Sequence, residues 1–269
     1  MFTKEPKIIN DLASYLQIIE NIHRENSGKT LYRGQASHVK FKLLPSLYRK
    51  SDDGSRDIYS YDCEEIFLNK FKSKSIPYLK TLPQNDWEWM FLMQHYNTPT
   101  RLLDWSESPL VALFFALDDN FNHQEEDSAV VWCLNPIRLN RKFRPIEGLS
   151  EIPNINGSEV LNNSINRYYA YGEAYPADYP IAVTGPLNNS RISAQKGMFT
   201  LFPASSKTPL EETKECNDFL DKIIIQKESI PIIKRQLFTM GITNTSIYPD
   251  LDSISKDIKL EYSVIKECE

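Results

Sequence analysis

The sequence predicts an α+β domain, and three observations carry that expectation. Helical periodicity dominates the first part of the chain. The β-prone runs are scattered and show no repeating βα period, which argues against a doubly wound sheet. No internal repeat, low-complexity tract or linker divides residues 1–269, so one domain is expected. That length suits one large domain or two small ones and is enough chain to bury a substantial core.

Residues 8–23 place apolar side chains at helical spacing, with Asn10 as the expected cap. After the turn-like Asn26-Ser27-Gly28, the β-prone Thr30, Leu31 and Tyr32 open a strand that ends near Gly34. Residues 61–82 are expected to be helical, with Ile66, Phe67, Phe71 and Leu79 as the apolar stripe. A second helix is expected over 85–95, capped by Asp86. Residues 107–118 form the strongest helix signal, with Pro109 in the first turn and a body apolar on every side, so this helix should be buried. The β-branched run at 128–135 reads as a central strand. Further strands are expected at 180–184 and 197–202, a helix near 214–222, an amphipathic segment from Ile230, and a short helix in the tail.

Composition narrows the function classes. The apolar share is 41%, the charged share 25% and the formal net charge -5, so the chain is globular and lacks the basic surplus of a phosphate-gripping domain. Cys63, Cys133, Cys216 and Cys268 form no C-x-x-C pair, which removes the zinc-ribbon and thioredoxin signatures. Met1 to Glu20 shows no signal-peptide run, and no stretch approaches the ~18 apolar residues of a membrane span. A cytoplasmic protein with reduced cysteines and no membrane partner is the expectation. No H-E-x-x-H, P-loop, G-x-S-x-G or G-x-G-x-x-G occurs.

Three segments carry chemistry. The first is Leu31-Tyr32-Arg33-Gly34-Gln35, where an arginine offers forked donors to phosphate or carboxylate and Gly34 would let a ligand approach the backbone. The second, residues 94–109, gathers Gln94, His95, Tyr96, Thr100, Arg101, Asp104, Trp105 and Ser106 ahead of the apolar helix. Ser106 or Ser108 would cap that helix, and Arg101 and Asp104 would pair across a tight turn. Such a cap, turn and ion pair would also explain the segment on structural grounds alone. The third is residues 191–199, in which Arg191 and Gln195 precede a strand and Gly197 permits close approach. Asp104, Asp118 and Asp119 could serve a metal-dependent nuclease, but Asp118-Asp119 more simply ends the buried helix.

The three segments in this order resemble the FRG domain, a family named for a Phe-Arg-Gly motif. Here Tyr32-Arg33-Gly34 stands in its place. The longest match is Gln94-His95-Tyr96, Pro99-Thr100-Arg101-Leu102-Leu103-Asp104-Trp105 and Pro109-Leu110-Val111-Ala112-Leu113-Phe114-Phe115-Ala116. Gln195, Gly197 and Phe199 resemble the third block. Met240-Gly241-Ile242 and Tyr248-Pro249-Asp250-Leu251 resemble the C-terminal one, giving a motif core over 30–255 behind the N-terminal helix.

The resemblance implies a distant relation to ADP-ribosyltransferases, with a bent, split mixed sheet that holds NAD as substrate, and roles in prokaryotic defence against phage or as a toxin. It implies no metal. Arg33 and Gln195 would be catalytic together with Asp104, with Arg33 on the NAD phosphates or ribose. Tyr32, Gly34, Gln35, His95, Arg101, Trp105, Ser106 and Arg191 would bind ligand. Gln195 falls where many such transferases carry a glutamate, and glutamine accepts the ribose hydrogen bond without supplying charge. The partners implied are NAD, an acceptor macromolecule (nucleic acid or protein) and, in a toxin setting, an inhibitory protein. A non-catalytic module that binds a nucleotide or a nucleic-acid end is the alternative.

Overall fold

The computed structural model describes residues 1–51, 54–60, 63–117, 128–142, 151–155, 159–170, 176–185 and 197–266. The strands are β1 (Lys7–Ile9), β2 (Leu31–Gln35), β3 (Leu102–Ser106), β4 (Ala129–Leu134), β5 (Ile181–Val183), β6 (Gly197–Leu201) and β7 (Leu220–Ile225). They form one mixed sheet in the order β1-β7-β4-β2-β3-β6-β5. β1 runs parallel to β7, and every other neighbouring pair is antiparallel. The helices are α1 (Leu12–Glu25), α2 (Cys63–Ser75), α3 (Asp86–His95), α4 (Pro109–Ala116), α5 (Pro136–Asn140), α6 (Glu159–Tyr169), α7 (Ile230–Thr239), α8 (Asn244–Ile247) and α9 (Leu251–Lys266).

Alternation along the strands sorts side chains onto two faces. On one face Leu31, Leu103, Trp105, Val130, Trp132 and Met198 form a continuous cluster under the 43–48 segment. The other face carries two clusters. Tyr32, Val131, Cys133 and Ile223 pack beneath α1, α4 and α7. Leu102, Phe199, Leu201 and Ile181 pack beneath α3 and α6. The boundary between these two clusters runs along β2 and β3.

α4 is almost wholly apolar because it lies between the sheet and the outer helices. Ser108 caps it by accepting from the Val111 amide at 3.4 Å, and Pro109 occupies the first turn. Ser106 belongs to β3 instead, and its hydroxyl accepts from the Ser108 amide at 3.0 Å. Gly34 lets α4 settle on β2: a Cβ there would stand 1.8 Å from the Ala112 carbonyl oxygen and 2.5 Å from the Ala116 amide. The close approach at this glycine is therefore made by a helix backbone.

Several expectations are corrected. Ile8 and Ile9 leave the expected first helix and, with Lys7, pair with β7, so α1 begins later and Asp11 is its cap, accepting from the Ser14 amide at 2.7 Å. Asn85 caps α3 from an extended backbone, with Asp86 already helical. Ile66 is 44% exposed, because α2 turns Leu68 into the core. The helix expected near 214–222 is a single 3-10 turn at Cys216–Asp218, since Leu220 already pairs with β4. Residues 102–106 are a strand in the middle of the sheet, not a loop. Residues 101 and 104 therefore face opposite ways, and the expected Arg101–Asp104 pair does not form.

The C-terminal corner depends on one carboxylate. Asp257 accepts from the Asn244 amide and side chain (2.9 and 2.8 Å) and from the Thr245 amide (2.8 Å) at the start of α8. Burial pushes its pKa up, but these bonds prevail and hold it down at about 2. A depressed carboxylate stabilises above its unfolded pKa of about 4 and loses that contribution as pH falls through the folded value. Amide chemical shifts at Asn244 and Thr245 should therefore titrate between about pH 4 and pH 2. Asp257→Ala should abolish the titration and cost about 1 kcal/mol, as for a lost cap. Pinned shifts down to pH 2 would contradict this.

Candidate functional site

β2 and β3 sit at the centre of the sheet yet pair at one register position, Tyr32 with Ser106. By contrast β2 pairs with β4 at five positions and β3 with β6 at five. Among the described residues nothing continues the β2–β3 ladder toward Gln35 and Leu102. A cleft of about 300 Å³ opens there, a volume at the lower end for small-molecule sites.

A carbonyl on β3 that faces this parting would lack a strand partner, and an unpaired buried carbonyl is costly. The Arg33 guanidinium takes that role: its Nη1 donates to the Asp104 carbonyl oxygen at 2.7 Å. Arg33 thus bridges the two halves of the sheet by its side chain. Its Nε is buried with no hydrogen-bond partner among the described residues. Burial draws the guanidinium down to about 10, with Asp104 opposing that shift and a second cation, Arg49, adding to it.

Arg49 lines the same cleft, following the 3-10 turn Ser46–Tyr48. Burial lowers its pKa too, with Asp104 again opposing. Two guanidinium groups and the exposed carboxylate of Asp104 therefore line one cleft. Asp104 is the single exposed position of β3, and its Oδ2 accepts from Gln94 Nε2 at 2.7 Å. Gln94 Oε1 in turn accepts from the hydroxyl of buried Thr100 at 2.5 Å.

Aromatic rings wall the cleft on both sides. From α3, Phe91 meets Phe199 edge to face at 4.9 Å between centroids. From α4, Phe115 meets Tyr248 at 6.0 Å. Trp105 and Phe41 contribute further wall.

The structure brings Tyr32, Arg33, Gly34, Gln35, His95, Asp104, Trp105 and Ser106 together around this space. Their chemistry differs. Burial raises the Tyr32 phenol to about 12. Gln35 spends its amide on the fold, accepting from Trp132 Nε1 at 3.0 Å and donating to the Lys42 carbonyl at 3.2 Å. Trp105 donates its indole proton to Thr200 at 3.0 Å. His95 stands edge to face with Tyr96 at 4.8 Å. Among the described residues, Arg33, Arg49 and Asp104 are the charged groups placed to meet an ionic ligand.

Arg101 does not line the cleft. Its side chain is fully buried, and Nε donates to Glu64 Oε1 at 2.5 Å. Its other nitrogens donate to the carbonyls of Phe202 and Tyr169 (3.2 and 2.8 Å). Three acceptors on three segments make it a tie between α2, α6 and the sheet. Arg191, Gln195, Asp118 and Asp119 lie outside the described residues. Among the described residues, no three His, Cys, Asp or Glu side chains group closely enough to hold a metal ion. No described helix is long and apolar enough to cross a membrane.

Sequence reasoning missed Arg49, Phe91, Asn97, Phe115 and Tyr248 as parts of the site. For Arg49 a signal was present, because Leu47-Tyr48-Arg49 repeats the triplet Leu31-Tyr32-Arg33.

The family model of the FRG domain matches residues 28–125. The matched span holds Arg33, Arg49, Gln94 and Asp104, whereas Gly197, Phe199 and Tyr248 come from later in the chain. Searches of the curated proteins and of the solved structures give no match. The charged side of the cleft is thus built within the span, residues 28–125, over which the chain is similar to the FRG domain.

Proposed function

We propose that the cleft binds NAD and transfers its ADP-ribose to an acceptor macromolecule. The observation that carries this reading is the pair of guanidinium groups, Arg33 and Arg49, lining one cleft with the carboxylate of Asp104 and two aromatic pairs. Arginine forks suit the paired phosphates of a dinucleotide, and aromatic walls suit its flat rings. The cleft volume accommodates part of a dinucleotide at a time, so one end of the ligand would extend past the rim.

In the reaction, the bond between the nicotinamide nitrogen and the ribose anomeric carbon breaks, and nicotinamide leaves with the bonding pair. The acceptor nucleophile bonds to that carbon and releases a proton. Positive charge develops on the ribose on the way, and a fixed carboxylate lowers its energy. Asp104 supplies the formal charge that glutamine at position 195 lacks. In the phage-defence setting that the resemblance implies, the acceptor would be nucleic acid or protein.

One observation favours a second reading. Asp104 shares the cleft with two guanidinium groups, so an anionic ligand meets more positive than negative charge there. A module that binds a nucleotide or nucleic-acid end without turnover fits that balance.

Nicotinamide release by the purified chain, with and without cell lysate, separates the readings. Turnover in the wild type that falls at least about a hundredfold in Asp104→Asn, as for other lost electrostatic groups, supports the transferase. Saturable NAD binding without turnover supports the module. Neither binding nor turnover would sink both.

A further inference from the structure

Asp104 does not stand alone in the cleft floor. Its Oδ2 is held by Gln94 Nε2 at 2.7 Å, and no described residue hydrogen-bonds Oδ1. Gln94 is itself oriented, because the Thr100 hydroxyl donates to its Oε1 at 2.5 Å. That hydroxyl also accepts from the Leu102 amide at 3.1 Å, which leaves its proton for Gln94. Thr100 is 1% exposed, so its hydroxyl has little access to water. The chain of bonds has one direction: amide to threonine, threonine to glutamine carbonyl, glutamine amide to carboxylate.

We infer that Gln94 is a positioning residue that pins Asp104 Oδ2 and so presents Oδ1 to the ribose of the bound dinucleotide. The inference rests on the transferase reading for its kinetic consequence but not for its geometry. An amide suits this task because it donates at one end and accepts at the other. A carboxylate at position 94 would repel Asp104, and a hydrocarbon would leave it free to turn toward Arg33 or Arg49. Those two arginines, together with His95 of α3 and the phenols of Tyr32 and Tyr248, are the titratable and cationic groups that line the cleft with Asp104 among the described residues.

The first test is a crystal structure of full-length Gln94→Leu. The Asp104 carboxylate is expected to rotate off its present position toward an arginine. A carboxylate that stays in place would overturn the inference, whatever the protein catalyses. The second test is kinetic, with NAD as the probe. Gln94→Leu should lower kcat on the order of 10- to 100-fold with KM within about threefold, the signature of a misplaced group rather than a lost binding contact. Thr100→Ser should retain activity and Thr100→Val should lose part of it. In Gln94→Glu a protonated side chain can donate again, so activity should return as pH falls, while Gln94→Leu should show no acid recovery. Equal losses in kcat/KM through KM alone, or identical pH profiles for both variants, would overturn the positioning role. A wild type that turns over no NAD would instead sink the transferase reading, and the crystal structure would still decide the role of Gln94.

Discussion

Arg101→Ala is expected to destabilise the fold by about 3–5 kcal/mol, the range for breaking a buried ion pair from one side. For a chain of this length that is a fall in Tm on the order of 10 °C. The side chain is fully buried, and its loss leaves the Glu64 carboxylate and the Phe202 and Tyr169 carbonyls without their donor. Burial already raises the Glu64 pKa, with Arg101 opposing that shift. A carboxylate with a raised folded pKa favours the fold below its unfolded pKa and disfavours it as pH rises through the folded value. Removing Arg101 removes the opposing cation, so the deficit should be larger at pH 8 than at pH 5. Thermal melts at those two values check the magnitude and its sign. Arg101→Lys should rescue poorly, since one ammonium cannot reproduce a planar fork aimed at three acceptors. A Tm within about 2 °C of wild type at both pH values would contradict this account.

Gly34→Ala is the second large effect. The added Cβ would meet backbone on both counts, the Ala112 oxygen at 1.8 Å and the Ala116 nitrogen at 2.5 Å. No rotamer change relieves such a contact, so α4 has to lift from β2. Overpacking against movable side chains costs about 1–3 kcal/mol, and a rigid helix backbone should place this variant at the upper end or beyond. Gly241→Ala is the control: nothing lies within 4 Å of its Cβ, and only its φ of 80° resists substitution, at a cost of about 1–2 kcal/mol. Thermal melts of both variants should show Gly34→Ala far below Gly241→Ala. The reverse order would mean that α4 can yield.

The sequence made α4 and β4 legible because each is an unbroken apolar run with clear boundaries, and α7 because it keeps a helical period. β3 was not legible, because Asp104 interrupts its apolar run and the polar residues before it look like a loop. What the pattern could not convey is that β3 lies at the parting of the sheet, where an exposed carboxylate belongs. β1 was absorbed into the first helix for a related reason, since Ile8 and Ile9 also suit the helical period. The sequence offers Arg33 as a forked donor and Gly34 as a site of close ligand approach, and in the fold each does something else. Arg33 replaces a missing strand partner, and Gly34 admits a helix. Arg49 reaches the cleft from 16 positions away in sequence, a juxtaposition that only the fold creates. Arg101 shows the opposite failure: a residue type suited to phosphate was placed by burial and spent on structure.

In the proposed function, Arg33 and Arg49 bind the phosphates of a dinucleotide across the parted strands. The most direct measurement is calorimetric titration of NAD into the full chain, comparing wild type with Arg33→Gln, Arg49→Gln and the double variant. Saturable binding is expected in the wild type, and at least about tenfold weaker binding in each single variant, as for a lost charged hydrogen bond. The double variant should fall short of the product of the two, since the groups share one ligand. Wild-type binding left unchanged by both substitutions, with the variants folded, would contradict the claim and place the NAD site elsewhere.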